Sequence, residues 1–535
     1  MVANIADLFE HAADTFPERL AVACGDREIT FNALEERANR LAHHLAAQGV
    51  GPGSHVGFYV RNSVEAVETL IAIYKLRAAA INVNFRYVED EVLYLLTNGN
   101  VQALVHDRRY APIVAAVAPK VPGLDTFVVI DDESDADASG YGGVDYETAL
   151  AAAPPDRDFP ARSPDDVYLL YTGGTTGYPK GVMWRHEDVW RVLGGGIDFM
   201  TGIPVEDEWS QSKRGAEMGF AMVRLCLAPL IHGNAQWAGM AALFGGDSVL
   251  LMTRFDPAEI WETVQRRGVN VIVLIGDAMA RPLIETYLGG DYDASSLVAV
   301  SSSASLFSPS VKQQFRTALP NVLITDSIGS SETGFTGIGM VTEQDGPADG
   351  PRVSPISETI VIGADGRPAP PGVVGRLGRG GHLPLGYYND PEKTAALFTT
   401  VDGERYALPG DLARLEDDGT VTLLGRGNTC INTGGEKVFP EEVEGALKSH
   451  PAVFDALVIG VPDDRLGQRV AALIQPREGH PVDVAEVDAH LRTRIAGYKV
   501  PRAVWLVDEV KRTISGKADY PWAHRHAAEH PRHPA

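Results

Sequence analysis

Residues 171–181 read Tyr171-Thr172-Gly173-Gly174-Thr175-Thr176-Gly177-Tyr178-Pro179-Lys180-Gly181. The run follows Val167-Tyr168-Leu169-Leu170, a short apolar stretch that predicts a buried strand ending in a loop. Its four glycines dispense with Cβ bulk and permit positive φ, so backbone N–H groups can converge on an anion. Three threonines add hydroxyl donors, and Lys180 adds a charge. These are the parts of a phosphate-gripping loop. The Gly-Lys-Ser/Thr loop is a different device: here Pro179 precedes Lys180 and Gly181 follows it.

The chain around this loop has 535 residues, more than one core accommodates, which predicts two or more domains. Its net charge of −24 argues against a nucleic-acid partner and against a broad basic face for anionic membranes. Phosphate must therefore be held by local groups. Cys24, Cys226 and Cys430 lack metal-ligand spacing and read as reduced thiols. The start, Met1 to Asp7, is not cationic and carries no long apolar run, and no stretch of 18 apolar residues occurs. The expectation is a soluble cytoplasmic protein without a transmembrane segment.

Outward from the loop, helical and strand patterns alternate. Asn32 with Glu35 reads as a capping arrangement, and Leu34, Ala38, Leu41 and Leu45 mark one helix face. Residues 55–60 predict a strand, 63–75 a helix and 80–83 another strand. Such alternation predicts a layered α/β domain with largely parallel strands. Glycine- and proline-rich turns over 345–385 predict a β-subdomain. Apolar runs at 453–460 and 469–474 predict a small α+β domain. The predicted organisation is a large domain over 1–425, a hinge over 426–430, a mobile lid over 431–523 and a disordered, histidine-bearing tail over 524–535. Gly245-Gly246-Asp247-Ser248-Val249 imitates a carrier-domain serine motif but reads as a turn into the strand Val249-Leu250-Leu251.

Further segments complete a pattern. Pro229-Leu230-Ile231-His232-Gly233, Ser302-Ser303-Ala304, Ile328-Gly329-Ser330-Ser331-Glu332, Pro409-Gly410-Asp411, Gly425-Arg426, Thr433-Gly434-Gly435-Glu436-Lys437 and Thr513-Ile514-Ser515-Gly516-Lys517 follow in order. Together with the 171–181 run they closely resemble the motifs of the adenylate-forming enzymes, the superfamily of acyl-CoA synthetases, peptide-synthetase adenylation domains and firefly luciferase. The resemblance covers nearly the whole chain. It implies that Thr172 to Gly177 and Lys180 hold the β- and γ-phosphates of ATP. It places Ser303, Ala304, Ile328, Gly329, Ser330 and Ser331 around the nucleotide, and gives Glu332 to Mg²⁺. Asp411 and Arg426 take the ribose, Asn428 is the hinge pivot, and His232 and Gly233 stand at the mouth of the acyl pocket. Thr433, Gly434, Gly435 and Lys437 attend the arm of coenzyme A, and Lys517 is the catalytic lysine.

The chemistry implied explains these residue types. A carboxylate must meet an anionic α-phosphate, so cations have to bring the two together and neutralise charge as pyrophosphate leaves. Four positions depart from the resembling pattern: Ser331 replaces the usual Thr and keeps its hydroxyl, Lys511 replaces a usual proline in a loop, and the other two bear on function. Ile328 stands where a ring usually stacks on adenine, and Asn428 replaces the usual pivot residue.

Residues 181–188, 229–233 and 276–282 look like those of actinobacterial acyl-CoA ligases, including steroid side-chain enzymes. Gly194, Gly195, Ala235, Trp237 and Gly239 read as walls leaving room for a bulky apolar acyl group. The implied reaction joins a hydrophobic carboxylic acid to coenzyme A through an acyl-adenylate. The competing readings are an amino-acid adenylating enzyme and a catalytically impaired nucleotide-binding relative. A homo-oligomer is compatible with all three.

Overall fold

The computed structural model describes residues 4–174, 177–198, 203–303, 305, 307–340, 351–356, 358–426, 429–433, 436–463, 467–495, 497–513 and 516–533. The helix Phe31–Ala47 buries Leu34, Ala38, Leu41 and Leu45 completely. Its cap is Thr30, whose side chain accepts from the Ala33 N–H, and Asn32 lies inside the helix. Glu35 is not a capping residue: it is buried 2.8 Å from the Lys75 ammonium, which also meets Glu10 at 2.5 Å. Burying such a lysine is tolerable only with its counter-charges in place.

Five strands, in the order Ala79–Asn82, His55–Tyr59, Ala103–Asp107, Thr126–Ile130 and Val144–Asp145, form one parallel sheet. A second, larger sheet has a parallel half in which Ser248–Leu251, Val223–Cys226, Val271–Leu274, Ala299–Ser303 and Leu323–Ser330 lie side by side. Gly334–Met340 then turns back antiparallel, and the sheet continues through Arg352–Pro355, Val421–Arg426 and Asp411–Leu415. This continuation is the β-rich segment that the turn residues predict. Helices cover the apolar faces of the parallel strands, and Trp184, Trp190 and Trp261 fill the space between layers.

The sheet changes after Arg426. Ile431–Thr433, Glu436–Val438, Gly467–Pro476, Val453–Asp463 and Ala503–Leu506 pair only with one another, around a separate core of Val443, Leu447, Val458, Val470 and Ile474. Where a disordered tail is expected, the structure has a helix, Tyr520–Glu529, capped by Asp519. Its Ala523 is fully buried, and beyond it the His533 N–H reaches the Val504 carbonyl at 2.8 Å. His524 and His526 therefore belong to a packed element. Compositional polarity suggests fraying, but Ala523, Trp522 and Ala527 supply an apolar stripe onto the sheet. Among the described residues no helix is long and apolar enough to cross a membrane.

Candidate active site

The 171–181 run forms a β-hairpin. Val167–Gly174 pairs antiparallel with Gly177–Arg185, so Thr172 faces Lys180 across the ladder. Thr175 and Thr176 lie outside the described residues, and of Gly173, Gly174 and Gly177 only the strand assignment is described. One side chain from a neighbouring sheet fastens the hairpin. Asn82, buried at the end of its strand, accepts from the Tyr171 N–H at 2.7 Å and donates to the Tyr171 carbonyl at 2.8 Å. It also donates to the Ile231 carbonyl at 2.8 Å. A single amide thus holds the hairpin against the segment that carries His232.

A cavity of about 930 Å³ opens beside this junction. Thr172, His232, Gly233, Ser303, Ile328, Gly329, Ser330, Ser331 and Lys517 all line it. The sequence separates these residues by up to 345 positions, and the strand ends bring them to one place. Asp411 is not on its wall: it opposes Arg426 across an antiparallel pair at the rim of the β-rich half. Ala304, Asn428, Gly434 and Gly435 lie outside the described residues, and the side chains of Arg426 and Lys437 likewise. Thr433 is buried in the small sheet and is not a lining residue. Of the small apolar group expected to form the acyl wall, Trp237 lines the cavity. Ala235 is buried in the core, and a Cβ at Gly239 would face Val249.

His232 sits directly before the helix Gly233–Phe244. Its Nε2 is buried without a hydrogen-bond partner among the described residues. Burial, reinforced by the charges of Lys517 and Arg86, lowers its pKa to about 4. The ring is therefore neutral at pH 7, an apolar-faced wall with one unsatisfied nitrogen.

The Ile328-to-Glu332 turn is braced from several sides. Trp184 Nε1 donates to the Ser331 carbonyl at 2.9 Å, and Ser330 shares a hydroxyl contact of 2.9 Å with Thr333. Ile328 is turned into an apolar cluster with Val353, Val361 and Leu377. Glu332 is half-buried, and its Oε1 accepts from the Tyr387 hydroxyl at 2.9 Å. The Lys180 ammonium lies 5.2 Å from the centre of the same Tyr387 ring. Tyr387 thereby joins the hairpin that carries Lys180 to the turn that carries Glu332. Sequence reading missed it, because Gly386–Tyr387 is a two-residue strand whose register with Met183 and Val182 has no local signature.

The carboxylate–tyrosine pair fits a magnesium ion, which binds through one or two carboxylates with the remaining ligands from water and substrate phosphates. One Glu332 oxygen is committed to Tyr387, and the other is available to such an ion.

Lys517 arrives from the small domain on a tight turn. The Thr513 N–H donates to the Lys517 carbonyl at 2.7 Å, and Gly516 within the turn has φ +70°. Arg512 anchors the base through two hydrogen bonds of 2.7 Å to Asp455. A Cβ at Gly516 would lie 3.2 Å from Ile275 of the large domain, so positive φ and close approach both require glycine there.

A buried ion pair fixes this docking. Lys448 Nζ lies 3.0 Å from Asp277 Oδ2, with both side chains under 5% exposed. Arg281 approaches the same carboxylate at 3.8 Å and donates to the Lys448 carbonyl at 3.4 Å. Burial raises the Asp277 pKa, yet the charges of Lys448 and Arg281 hold it below the ordinary value.

His106, His186 and His232 share one electrostatic property: burial lowers each pKa to about 4. Between about pH 6.5 and 4 the unfolded chain binds a proton at each that the folded chain refuses. Stability is therefore expected to fall on acidification through this window, by up to about 1.4 kcal/mol per pH unit for each histidine. Urea midpoints measured at pH 7 and pH 5 check this; a flat profile overturns it.

The fold is a two-part α/β architecture in which residues of the small domain and of the large one line a common cavity. The chain belongs to the AMP-binding enzyme family: residues 9–388 match that family, and residues 442–517 match the AMP-binding enzyme C-terminal domain. It is similar to a 3-oxocholest-4-en-26-oate–CoA ligase of Rhodococcus rhodochrous, with 56% identity over 98% of this chain and 96% of the relative. It is also similar to a medium/long-chain-fatty-acid–CoA/3-oxocholest-4-en-26-oate–CoA ligase of Mycolicibacterium smegmatis, with 53% identity over 99% and 98%. A crystal structure of an anthranilate CoA ligase in complex with anthranoyl-AMP shares the fold, with a TM-score of 0.84, 23% identity and coverage of 99% and 98%.

Proposed function

We propose that the protein is an AMP-forming acyl-CoA ligase for a hydrophobic carboxylic acid, either a medium- or long-chain fatty acid or a steroid side-chain acid. The observation that carries this reading is the position of Lys517 on the wall of the same cavity as His232, Ser303 and the Ile328–Ser331 turn. The similarity to ligases of just these acids supports it.

In the first half-reaction the carboxylate oxygen attacks the α-phosphorus of ATP and pyrophosphate leaves. The Lys517 ammonium bridges carboxylate and α-phosphate, two anions that otherwise repel. The hairpin with Lys180 holds the departing phosphates. Magnesium, when bound through Glu332, neutralises phosphate charge. In the second half-reaction the coenzyme A thiol attacks the acyl carbonyl and AMP leaves. Neutral His232 is a wall that excludes water rather than a base.

Arg512, Thr513, Lys517, Ala518, Asp519 and Pro521 of the small domain line the cavity, whereas Thr433 is buried in the small sheet. The pose described is the adenylating one, and the small domain rotates about residues 426–430 to present the hairpin for thioester formation.

The acyl group lies between the helix Gly233–Phe244 and the parallel sheet. Asn234, Trp237, Ala238 and Ala241, spaced as one helix face, form one wall. An AMP-release screen with coenzyme A across short, medium, long and steroid acids tests the proposal. A long or steroid acid is expected to exceed acetate by at least roughly tenfold in kcat/KM, since a methylene in an apolar pocket is worth about 1–3 kcal/mol. Equal use of acetate removes the hydrophobic-acid reading, and amino-acid-dependent pyrophosphate exchange would replace it.

A further inference from the structure

The cavity runs well beyond the reacting end. Val271, Val273 and Ile275 all line it, and residues two apart on a strand share a face. Ile275 is the residue against which Gly516 packs, one position from Lys517. Four residues of strand separate it from Val271, about 13 Å at a rise of 3.3 Å per residue. The opposite wall has the same polarity: the helix face passes from Asn234, beside Ser303, to Ala241, about 10 Å further along.

At the far level stands a charge. Arg224 is in register with Val271 on the adjacent parallel strand, so the two side chains share the cavity face. Its neighbour Leu225 pairs with Ile272, and both are fully buried on the other face. Arg224 is itself a lining residue, with its side chain 34% exposed. Asp247 clamps it along one edge: Nε and Nη2 both lie 2.8 Å from Asp247 Oδ2. Asp247 Oδ1 is in turn fixed by the Met222 N–H at 3.0 Å. One edge of the guanidinium is thus spoken for, and Nη1 is the nitrogen that Asp247 does not engage, on a residue that lines the cavity beside Val271 with the polar Ser301 two strands along. A guanidinium keeps its proton and can only donate.

We infer that Arg224 is a specificity-determining residue at the distal end of the acyl cavity, donating a hydrogen bond to an oxygen that the acid carries at the end remote from its carboxylate. The chemical class is a steroid side-chain acid with a ring keto oxygen, in which the acceptor and the carboxylate stand at opposite ends of a rigid apolar body. A plain fatty chain offers this donor nothing. The inference rests on the acyl-ligase reading above and narrows its substrate class.

The test compares a 3-oxo steroid side-chain acid with the same acid lacking the 3-oxygen, in the full-length protein with ATP and coenzyme A. The readout is the ratio of the two kcat/KM values. In the wild type the keto acid is expected to lead by roughly ten- to a hundredfold, the range for a hydrogen bond to a charged donor. In Arg224→Met that ratio is expected to fall close to one. The double variant Arg224→Met/Asp247→Leu removes the carboxylate that the single change would orphan, and is expected to show the same collapsed ratio in a well-folded protein. A wild-type ratio near one, or a ratio that survives both variants, overturns the inference and leaves the ligase reading standing. Absence of acyl-CoA from every acid in the wild type is instead the failure of the ligase reading.

Discussion

Lys517→Ala is expected to lose acyl-adenylate formation by roughly 10²-fold or more, the scale for removing one preorganised electrostatic donor. The argument is geometric. The turn that carries Lys517 is closed by the Thr513–Lys517 backbone hydrogen bond and rooted by Arg512 on Asp455. Gly516, one position before Lys517, lies against Ile275 of the large domain, so the backbone at Lys517 is set beside the cavity that the lysine lines. Alanine removes the charge and leaves the turn. Thioester formation from supplied acyl-adenylate is expected to persist, because that step has no carboxylate and α-phosphate to join. Pyrophosphate release and acyl-CoA formation, measured separately on one preparation, decide the matter. Equal loss of both halves would assign Lys517 to folding instead.

Lys448→Met is expected to separate the half-reactions in the same direction by a different route. Asp277 is buried, and the pair it makes with Lys448 at 3.0 Å crosses from the large domain to the small one. Removing one member of a buried pair costs about 3–5 kcal/mol, because the other charge is left uncompensated. That cost falls on the docked pose, in which the two side chains meet. A small domain that undocks more readily presents Lys517 less often, so adenylation should fall by roughly ten- to a hundredfold. Lys448 also acts on Glu444 and Asp455 of its own domain, but the Arg512 charge acts on both of these and stays when Lys448 is removed, while Arg281 stays beside Asp277. Thioester formation from supplied acyl-adenylate should accordingly be spared. Lys448→Arg serves as the charge-conserving control. Unchanged adenylation, or a matched loss in both halves with a lowered Tm, would rule out a docking role.

The local elements were legible because their signals are local. The period of Leu34, Ala38, Leu41 and Leu45 predicts a helix face without reference to anything distant, and the apolar run before the glycine–threonine segment predicts the strand found there, which continues on to Gly174. The ordered motifs likewise place Thr172, Ser303, Ser330 and Lys517 as one site, and the cavity wall contains all four. What escaped were contacts between segments far apart in sequence. Asn82 acts on Tyr171 and Ile231, Tyr387 on Glu332, and Lys448 on Asp277. None has a characteristic spacing, since the fold alone makes them neighbours. The tail was misread for a related reason. Its histidines dominate the composition, whereas its order comes from Ala523 packing in one cluster with residues of a strand that begins 70 positions earlier, at Val453.

The helix Gly233–Phe244 divides its labour along its length. Its first turn follows His232, and its later turns carry the lining residues Ala238 and Ala241. The start of the helix is tied through the Ile231 carbonyl to Asn82, whereas Ala238 and Ala241 lie a turn or more beyond that anchor. On the proposed reading, substitutions at those later turns are expected to change which acid is accepted more than the rate at which it reacts.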